Sequence, residues 1–427
     1  MALPALVNDK TPDLLRLGYR FTDRLRADSD DPRAPSRVPL RLLGEDALLV
    51  RGAEGVRLFY DDTAIKRDGA LPTLFSGGLF GKGSVHGLDD EAHLVRKQLF
   101  VRAAMDDDAV ATLMADARDA WGRHIDNVWT AGWEGSVYDA AVEVYGRSIL
   151  RWAGVRTDDV TATRLARDEA LIVDGFAVVG PAFVLSKLKR RQCDAWFTHL
   201  IRRARAGTYP VRESSALDLV LQHTDADGQP LSDHLAAVEL QNVIRPTIAV
   251  ARFAAFAALA LHTYPEWRGR ISDEVVERGS TIDAPVAVAF AEEVRRYFPF
   301  VPLLPGVARR DLTHEGVHVA KGQRVLLDFY GTLHDQRHWD TPDRFDPHRF
   351  LGTGEVFAEY FIPQGGGEVE TGHRCPGEKV AVGLLALTVA ELARLDYELP
   401  PQDLSYEMTR MPTAPRDGVV LARVRRR

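Results

Sequence analysis

The chain has 427 residues, of which 54 are Lys or Arg and 61 are Asp or Glu, so its formal net charge is −7. This mild acidity argues against a dedicated binder of nucleic acid or anionic membranes, and 45% hydrophobic with 27% charged residues excludes a wholly disordered chain. Two cysteines, Cys193 and Cys375, are too few for a disulfide framework or a four-thiolate metal site.

The first residues contain no basic segment followed by a long apolar run. We therefore expect neither a signal peptide nor an anchor, and we predict a cytoplasmic protein. The most apolar stretch, residues 253–262, is shorter than the roughly 20 residues that cross a bilayer, which predicts no membrane span. Neither a linker nor a repeat divides the sequence, so a single domain over residues 1–427 is predicted.

In chain order, the first predicted element is a hairpin formed by apolar runs around Gly52 and Gly55. A second hairpin is predicted to turn at Lys321 and Gly322. Apolar residues at helical spacing predict helices over residues 91–105, 109–129, 231–262, 286–298 and 377–395. The fold class is therefore mainly α with small β-sheets, and the pattern argues against a doubly wound α/β fold.

Cys375 lies where a glycine-dense loop leads into the last long helix. A sulfur atom at a helix N-terminus faces unpaired N–H groups, which favour a thiolate, and a thiolate is an electron-donating ligand for haem iron. Pro376 has no N–H, so donors to the sulfur come from Gly377 onward. The plainer alternative is a small buried residue at a helix start. No second thiol supports a zinc site, and no Lys-Ser/Thr supports a phosphate loop.

The sequence GHRCPG around this cysteine, with EEVRRYFP and RFDPHRF upstream of it, resembles the cytochrome P450 superfamily. The resemblance implies the cytochrome P450 fold, with haem b between a long central helix and a proximal cysteine loop, and with Cys375 as the thiolate ligand of the metal. The chain departs from the family pattern at Thr371, where a glycine is usual, and its loop between Phe361 and Cys375 is longer. These departures imply an unusual branch.

The same resemblance implies an ion pair between Glu293 and Arg296, with Arg349 as its third member. Residues three apart share one helix face, which suits a charge-assisted pair. The other frame, Glu292 with Arg295, stays open.

In the predicted central helix, Arg245 and Pro246 stand where family members that use dioxygen carry an acid and an alcohol. A guanidinium does not readily donate protons and proline has no hydroxyl, so the usual proton relay is missing unless Thr247 takes that role. A buried guanidinium needs an anion, and a carboxylate matches it in a planar geometry. Proline also predicts a kink. From spacing alone, Arg245 would share a solvated face with Gln241, Asn242 and Arg252.

The stretch NVIRPT resembles the central helix of the fatty-acid peroxygenases and decarboxylases, which take hydrogen peroxide directly. The resemblance implies catalytic roles for Arg245 and Pro246, with the substrate carboxylate on Arg245. It implies oxidation of fatty acids at C-α or C-β, by decarboxylation to terminal alkenes or by hydroxylation, without an obligatory redox partner. Two alternatives stay open: a conventional monooxygenase fed by a redox partner, and a non-catalytic haem sensor.

Residues 79–100 also resemble that family along their whole length. The resemblance implies substrate binding by Phe80 and a catalytic role for His86, whose counterpart is histidine in alkene-forming members and glutamine in members biased toward hydroxylation. A loop histidine of this kind is otherwise a polar surface residue. Histidine titrates near neutrality and so moves protons where glutamine does not.

His93 and Lys97 lie one turn apart on the helix that follows, with Asp89 or Asp90 as its expected cap. Their spacing suits hydrogen bonds to the haem propionates, whereas the alternative is a solvated pair on an ordinary helix. Two further candidates for an apolar substrate channel are Phe176 and residues 299–304, although such residues are also common in plain protein core.

Overall fold

The structure, a computed structural model, describes residues 9–71, 77–178, 180–352 and 359–427. The α-helices in these ranges are Thr11–Leu17, Phe21–Ala27, Gly52–Phe59, Asp90–Ala104, Asp107–His124, Val137–Trp152, Asp159–Asp174, Pro181–Arg205, Ala216–Gln222, Asp233–Ala249, Ala251–Thr263, Pro265–Arg278, Pro285–Tyr297, Phe329–Leu333 and Glu378–Ala393. Most of them pack around one apolar core, whose buried side chains run from Val85 to Val424.

The strands are β1 Arg37–Leu42, β2 Glu45–Val50, β3 Ile65–Lys66, β4 Gly135–Ser136, β5 Leu303–Ala308, β6 Leu312–His314, β7 Val317–Val319, β8 Arg324–Asp328, β9 Leu395–Glu398 and β10 Val420–Arg426. They form one sheet in the order β1-β2-β8-β5-β3, a second in the order β4-β10-β9, and a β6-β7 ribbon. The predicted class, mainly α with small sheets, is confirmed.

The first predicted hairpin is wrong in its second half. Strand β2 pairs with β1 through a turn at Leu43 and Gly44, and the run after Gly52 is a helix. The helix forms because Gly55, Val56 and Phe59 fall on one buried face. A Cβ atom at Gly55 would lie 3.0 Å from Cβ of Val50, so glycine lets this helix pack directly on the preceding strand.

The second predicted hairpin has the right strands with the wrong partners. Gly322, with φ of 86°, does form a turn between β7 and β8. However, β7 pairs with β6 through Glu315 and Gly316, whereas β8 runs parallel to β2 and antiparallel to β5. The chain therefore changes sheets at Gly322, because β8 is an apolar strand buried along Val325–Asp328 in the larger sheet.

The predicted long helices are confirmed, with one division. The segment predicted over residues 231–262 consists of the central helix, Asp233–Ala249, and a second helix, Ala251–Thr263, separated at Val250. Together they span 31 residues with a mean hydropathy of 1.6 in their most apolar window, which by length and composition alone is enough to cross a membrane, contrary to the estimate from residues 253–262. Within the protein, 89% of that window is buried, as in a core helix.

The ion pair predicted between Glu293 and Arg296 is present. The two side chains have no exposed surface and are joined by two contacts of 2.7 Å, and Arg349 Nε lies 3.7 Å from Glu293 Oε1. The alternative ion pair, Glu292 with Arg295, is present as well. Arg295 also lies 2.6 Å from Glu378 at the start of the last long helix. One helix turn thus holds two ion pairs that point to different segments.

Replacing Arg296 by leucine is expected to lower the free energy of unfolding by about 3–5 kcal/mol, because Glu293 would keep a buried charge without its main partner. The matched control is Arg278→Leu, which removes an arginine that is 48% exposed from its pair with Glu274 and is expected to cost less than about 1 kcal/mol. Urea unfolding followed by circular dichroism measures both. Equal losses in the two variants would contradict a special role for the buried pair.

Candidate active site

An interior cavity separates the central helix from the loop that carries Cys375. On the helix side, its walls include Asn242, Val243, Pro246, Thr247, Ala249 and Val250. On the opposite side, they include Pro363, Gln364, Gly365, His373, Arg374, Cys375, Pro376 and Gly377. Most of the remaining lining is aromatic or aliphatic, so the cavity is apolar with a few polar groups at defined places.

The cysteine loop is held close to its neighbours by backbone contacts. The N–H of Cys375 donates to the carbonyl of Gln364 over 3.0 Å. Gly365 has a φ of 102°, and a Cβ there would lie 2.9 Å from the Tyr60 hydroxyl. Only a residue without a side chain fits this conformation at this distance, so the glycine brings the loop backbone to the cavity floor.

Cys375 faces the cavity just before the helix Glu378–Ala393 begins. Burial raises the pKa of the Cys375 thiol, while the N–H of Gly377 and the charge of Lys97 act in the opposite direction. The donor is the first N–H after Pro376, as expected from the sequence. Since a thiol that coordinates a metal is deprotonated outright, the site suits a thiolate ligand.

One edge of the cavity carries basic side chains: His93, Lys97, His373 and Arg374. The rings of His93 and His373 stack with centroids 3.9 Å apart, and Lys97 Nζ donates to the carbonyl of Arg374 over 2.5 Å. Burial lowers the pKa of His93 to about 3 and that of Lys97 to about 8. An acidic group at this edge would favour their charged forms.

The loop that carries Phe80 and His86, called the distal loop below, leads into the helix Asp90–Ala104. Neither acid expected to cap this helix does so. Asp89 stands at the cap position, but its carboxylate accepts from the N–H groups of Arg67 and Asp68, at 2.9 and 2.8 Å. Asp90 lies within the helix and accepts from Arg309. Both acids are used by the neighbouring strand segments, which the local sequence pattern does not reveal.

The residues around the cavity fit a haem. A thiol with a directed N–H lies on one wall, a glycine brings the backbone to the cavity floor, and the basic edge matches two propionates. Cys375, His93 and Lys97, which the sequence analysis singled out, lie around this common cavity.

The distal loop is tied to the interior by three hydrogen bonds. Glu239 accepts from the N–H of Val85 at 2.9 Å, Asn242 donates to the carbonyl of Phe80 at 2.9 Å, and Arg190 donates to the carbonyl of Leu79 at 2.8 Å. The loop is therefore fixed against the central helix and the helix Pro181–Arg205. Glu239 and Arg190 were not anticipated from the sequence.

Phe80 and His86 both line the cavity and stack with ring centroids 4.0 Å apart. Burial, followed by the charge of Arg245, lowers the pKa of His86 to about 3. The imidazole is therefore neutral near pH 7, with one ring nitrogen free to accept a proton.

Arg245 is only 2% exposed, and Gln241, Asn242 and Arg252 are also buried, so the solvated-face alternative is wrong. Its guanidinium lies 3.2 Å from Glu169 Oε2 and also donates to Asn242 Oδ1. Burial, with the charge of Arg190, lowers the pKa of Arg245 to about 10, so it stays charged near neutrality. The anion beside it in this structure belongs to the protein itself.

Glu169 is the main residue that the sequence interpretation missed. A signal for it exists: in the helix Asp159–Asp174, Glu169 falls on the same face as the buried Leu165 and Ile172. A carboxylate on an apolar helix face needs a buried partner. That partner is the arginine of the central helix.

The other predicted residues are distributed around the same cavity. Pro246 and Thr247 line it, and the helix continues through Pro246 to its interruption at Val250. In the predicted channel segment, Phe300, Val301 and Leu304 also line it. The ring of Phe176 lies 6.3 Å from that of Phe80, but Phe176 itself is not among the residues that line the cavity.

Known proteins resemble this chain both in sequence and in fold. The family model for cytochrome P450 matches residues 192–412. Cytochrome P450EX alpha with myristic acid is 32% identical with a TM-score of 0.88, covering 98% of each chain. A variant of cytochrome P450 OleT with arachidonic acid is 31% identical with a TM-score of 0.90, covering 98% of this chain and 97% of that one. Cytochrome P450SP alpha with (R)-ibuprophen is 34% identical with a TM-score of 0.88, covering 98% and 99%.

Among curated proteins, the tabersonine/lochnericine 19-hydroxylase of Catharanthus roseus is 34% identical over 135 residues, which is 30% of this chain and 25% of that protein. The matched segment thus spans about a quarter of that relative's length. The likeness to the three solved structures extends over nearly the whole chain, and each of those was solved with a carboxylic acid.

Proposed function

This chain belongs to the cytochrome P450 superfamily, and we propose that it is a peroxide-dependent haem-thiolate enzyme that oxidises fatty acids at C-α or C-β. The observation that carries the proposal is the buried, charged guanidinium of Arg245, which does not itself line the cavity but donates to Asn242 in the cavity wall. The fatty acids named with two full-length relatives support the substrate class.

The cofactor in this proposal is haem b, with Cys375 as its ligand and with His93 and Lys97 holding its propionates. Bound haem with a thiolate ligand supplies peroxide activation and oxidation of a C–H bond. Hydroxylation consumes one peroxide and releases one water. Decarboxylation converts the acid and one peroxide into a terminal alkene, carbon dioxide and two waters.

The residues of the chain bind and orient the acid. Arg245 holds the carboxylate, which places C-α and C-β closest to the cavity centre, while Phe80, Phe300 and Val301 receive the alkyl chain and exclude water. Pro246 lines the cavity at the position where family members that use dioxygen carry an alcohol, and it has no hydroxyl to pass on a proton. The neutral imidazole of His86 accepts or returns a proton at its free ring nitrogen, and we propose that it favours the alkene product.

The expected partners are a fatty acid and hydrogen peroxide, with no obligatory redox protein. We further propose a soluble, cytoplasmic enzyme with one domain over residues 1–427. Both cysteines are free, which fits a reducing compartment. The apolar 31-residue stretch is consistent with this location, because most of it is buried in the protein core.

Haem-loaded protein mixed with a fatty acid and hydrogen peroxide is expected to form hydroxy acids or alkenes without any reductase. Gas chromatography of the extracts measures both products. The control replaces peroxide by NADPH, ferredoxin and its reductase, with catalase present to remove stray peroxide, and is expected to give no product.

The opposite pattern would favour a conventional monooxygenase, in which Thr247 on the cavity wall takes part in proton delivery. The variant Thr247→Ala distinguishes the peroxide-dependent enzyme from the monooxygenase. Peroxide-driven turnover is expected to persist in this variant, whereas turnover that relies on a proton relay through the Thr247 hydroxyl would be lost. A spectral shift on adding the acid, without product from either electron source, would favour a haem sensor.

A further inference from the structure

Glu169 is a buried carboxylate with an incomplete set of partners. It has no exposed surface, and its Oε2 lies 3.2 Å from Arg245. Its Oε1 has no hydrogen-bond partner among the described residues. Since an unpaired buried oxygen is costly, the acid is only partly satisfied by the interactions that the protein offers it.

The charges around Glu169 balance without any ligand. Arg245 faces it from the central helix, and Arg190, Cys193 and Asp194 face it from the helix Pro181–Arg205. Arg190 lies 2.9 Å from Asp194, so two cations stand beside two carboxylates. Adding an ionised acid at Arg245 would leave one negative charge in excess in a buried region.

Such an excess is relieved by protonation. When two carboxylates share one site, like-charge repulsion raises the pKa of one of them strongly. Burial already raises the pKa of Glu169, and the charge of Arg245 is the main force in the opposite direction. His86 is a poorer acceptor, because burial and Arg245 lower its pKa to about 3.

We propose that Glu169 is the resident counter-ion of Arg245, that the substrate carboxylate replaces it on the guanidinium, and that Glu169 takes up one proton as the acid binds. The inference rests on the proposed function, in which Arg245 binds fatty-acid carboxylates. It makes Glu169 a positioning residue: it holds the empty guanidinium in place and selects for ligands that bring their own negative charge.

Proton uptake by Glu169 makes the affinity for the acid depend on pH in one definite direction. The complex holds one proton more than the free protein, so the dissociation constant for the acid rises with pH, by up to about tenfold per pH unit. The rise begins above the pKa of Glu169 in the free protein and ends at its pKa in the complex. A neutral ligand of the same length leaves Glu169 on Arg245 and shows no such dependence.

Isothermal titration calorimetry of the haem-loaded protein with octanoate tests this directly. Octanoate is ionised between about pH 6.5 and 9, and titration in phosphate and in Tris counts the protons taken up from the buffer. We expect up to one proton per bound acid at pH values between the pKa of Glu169 in the free protein and its pKa in the complex. With 1-octanol we expect none. This measurement on the unchanged protein does not depend on any variant folding.

Glu169→Gln is expected to bind octanoate without proton uptake and, at the upper end of the pH range, more tightly than the unchanged protein. The matched control is Glu391→Gln, which alters a carboxylate that is 5% exposed and bonded to Thr281 at 2.7 Å. Because Glu391 does not line the cavity, that variant is expected to keep the uptake of about one proton.

Absence of proton uptake over the whole pH range, with octanoate still dependent on Arg245, would overturn the counter-ion role alone. Uptake that survives in Glu169→Gln and disappears in His86→Gln would assign the proton to His86 and would also overturn it. Unchanged octanoate binding in Arg245→Leu would instead refute the proposed function. The two proposals therefore fail in different ways.

Discussion

Arg245→Leu is expected to abolish turnover of fatty acids and to weaken carboxylate binding by on the order of 100-fold or more. The physical reason is that the variant lacks the buried cation that compensates the desolvated acid. Binding of 1-octanol is expected to change little, because the apolar wall formed by Phe80, Phe300 and Val301 is untouched. Calorimetry with octanoate and 1-octanol, and product analysis with peroxide, measure the difference between the two ligands.

The same substitution removes the ion-pair partner of Glu169. A buried carboxylate without a compensating charge costs about 3–5 kcal/mol of stability. A loss of activity could therefore reflect poor folding. The double variant Arg245→Leu, Glu169→Gln removes the stranded charge and is expected to recover stability without recovering carboxylate binding. A folded Arg245→Leu protein with near-normal rates would contradict the docking role of this arginine.

Cys375→Ser is expected to reduce peroxide-driven oxidation to the detection limit. Serine is a weak ligand without the electron donation of a thiolate, so a haem held at this site would lack the sulfur donor that supports oxidation. The absorption spectrum of the reduced carbon monoxide complex reports the ligand directly, and the red-shifted band of thiolate ligation should be lost. Hemin retention on gel filtration measures how much the sulfur contributes to cofactor binding.

The matched control is the other cysteine of the chain. Cys193 is 1% exposed and lies in the helix Pro181–Arg205, outside the cavity wall. Cys193→Ala is expected to keep the thiolate spectrum and the activity, at a modest loss of stability from the small void. A thiolate spectrum that survives in Cys375→Ser and vanishes in Cys193→Ala would reverse the ligand assignment.

Sequence reasoning reached the parts of this site that depend on local chemistry. A cysteine at a helix start, an Arg-Pro pair in an apolar helix and a His-Lys pair one turn apart are visible in short windows, and the structure brings Cys375, Pro246, His93 and Lys97 to one cavity. The family resemblance supplied the link between them, because no local pattern specifies contacts across more than 100 residues.

What was missed depends on long-range packing. Glu169 is assigned to Arg245 only when two helices are placed side by side, 76 residues apart in the sequence. Likewise, the pairing of β8 with β2 joins Arg324 to Ala47, which are 277 positions apart in the sequence. Asp89 would cap a helix on local rules, but neighbouring backbone N–H groups from the strand segment compete for its carboxylate.

The two ion pairs on the helix Pro285–Tyr297 bear on how this enzyme tolerates sequence change. Glu293 accepts from the N–H of Asp346 at 2.8 Å, and Arg295 contacts both Gln364 and Glu378. Asp346 and Gln364 are thus both held by one turn of this helix. Because the carbonyl of Gln364 accepts from the N–H of Cys375, a substitution that breaks the contact of Arg295 with Gln364 is expected to shift the loop that carries the sulfur.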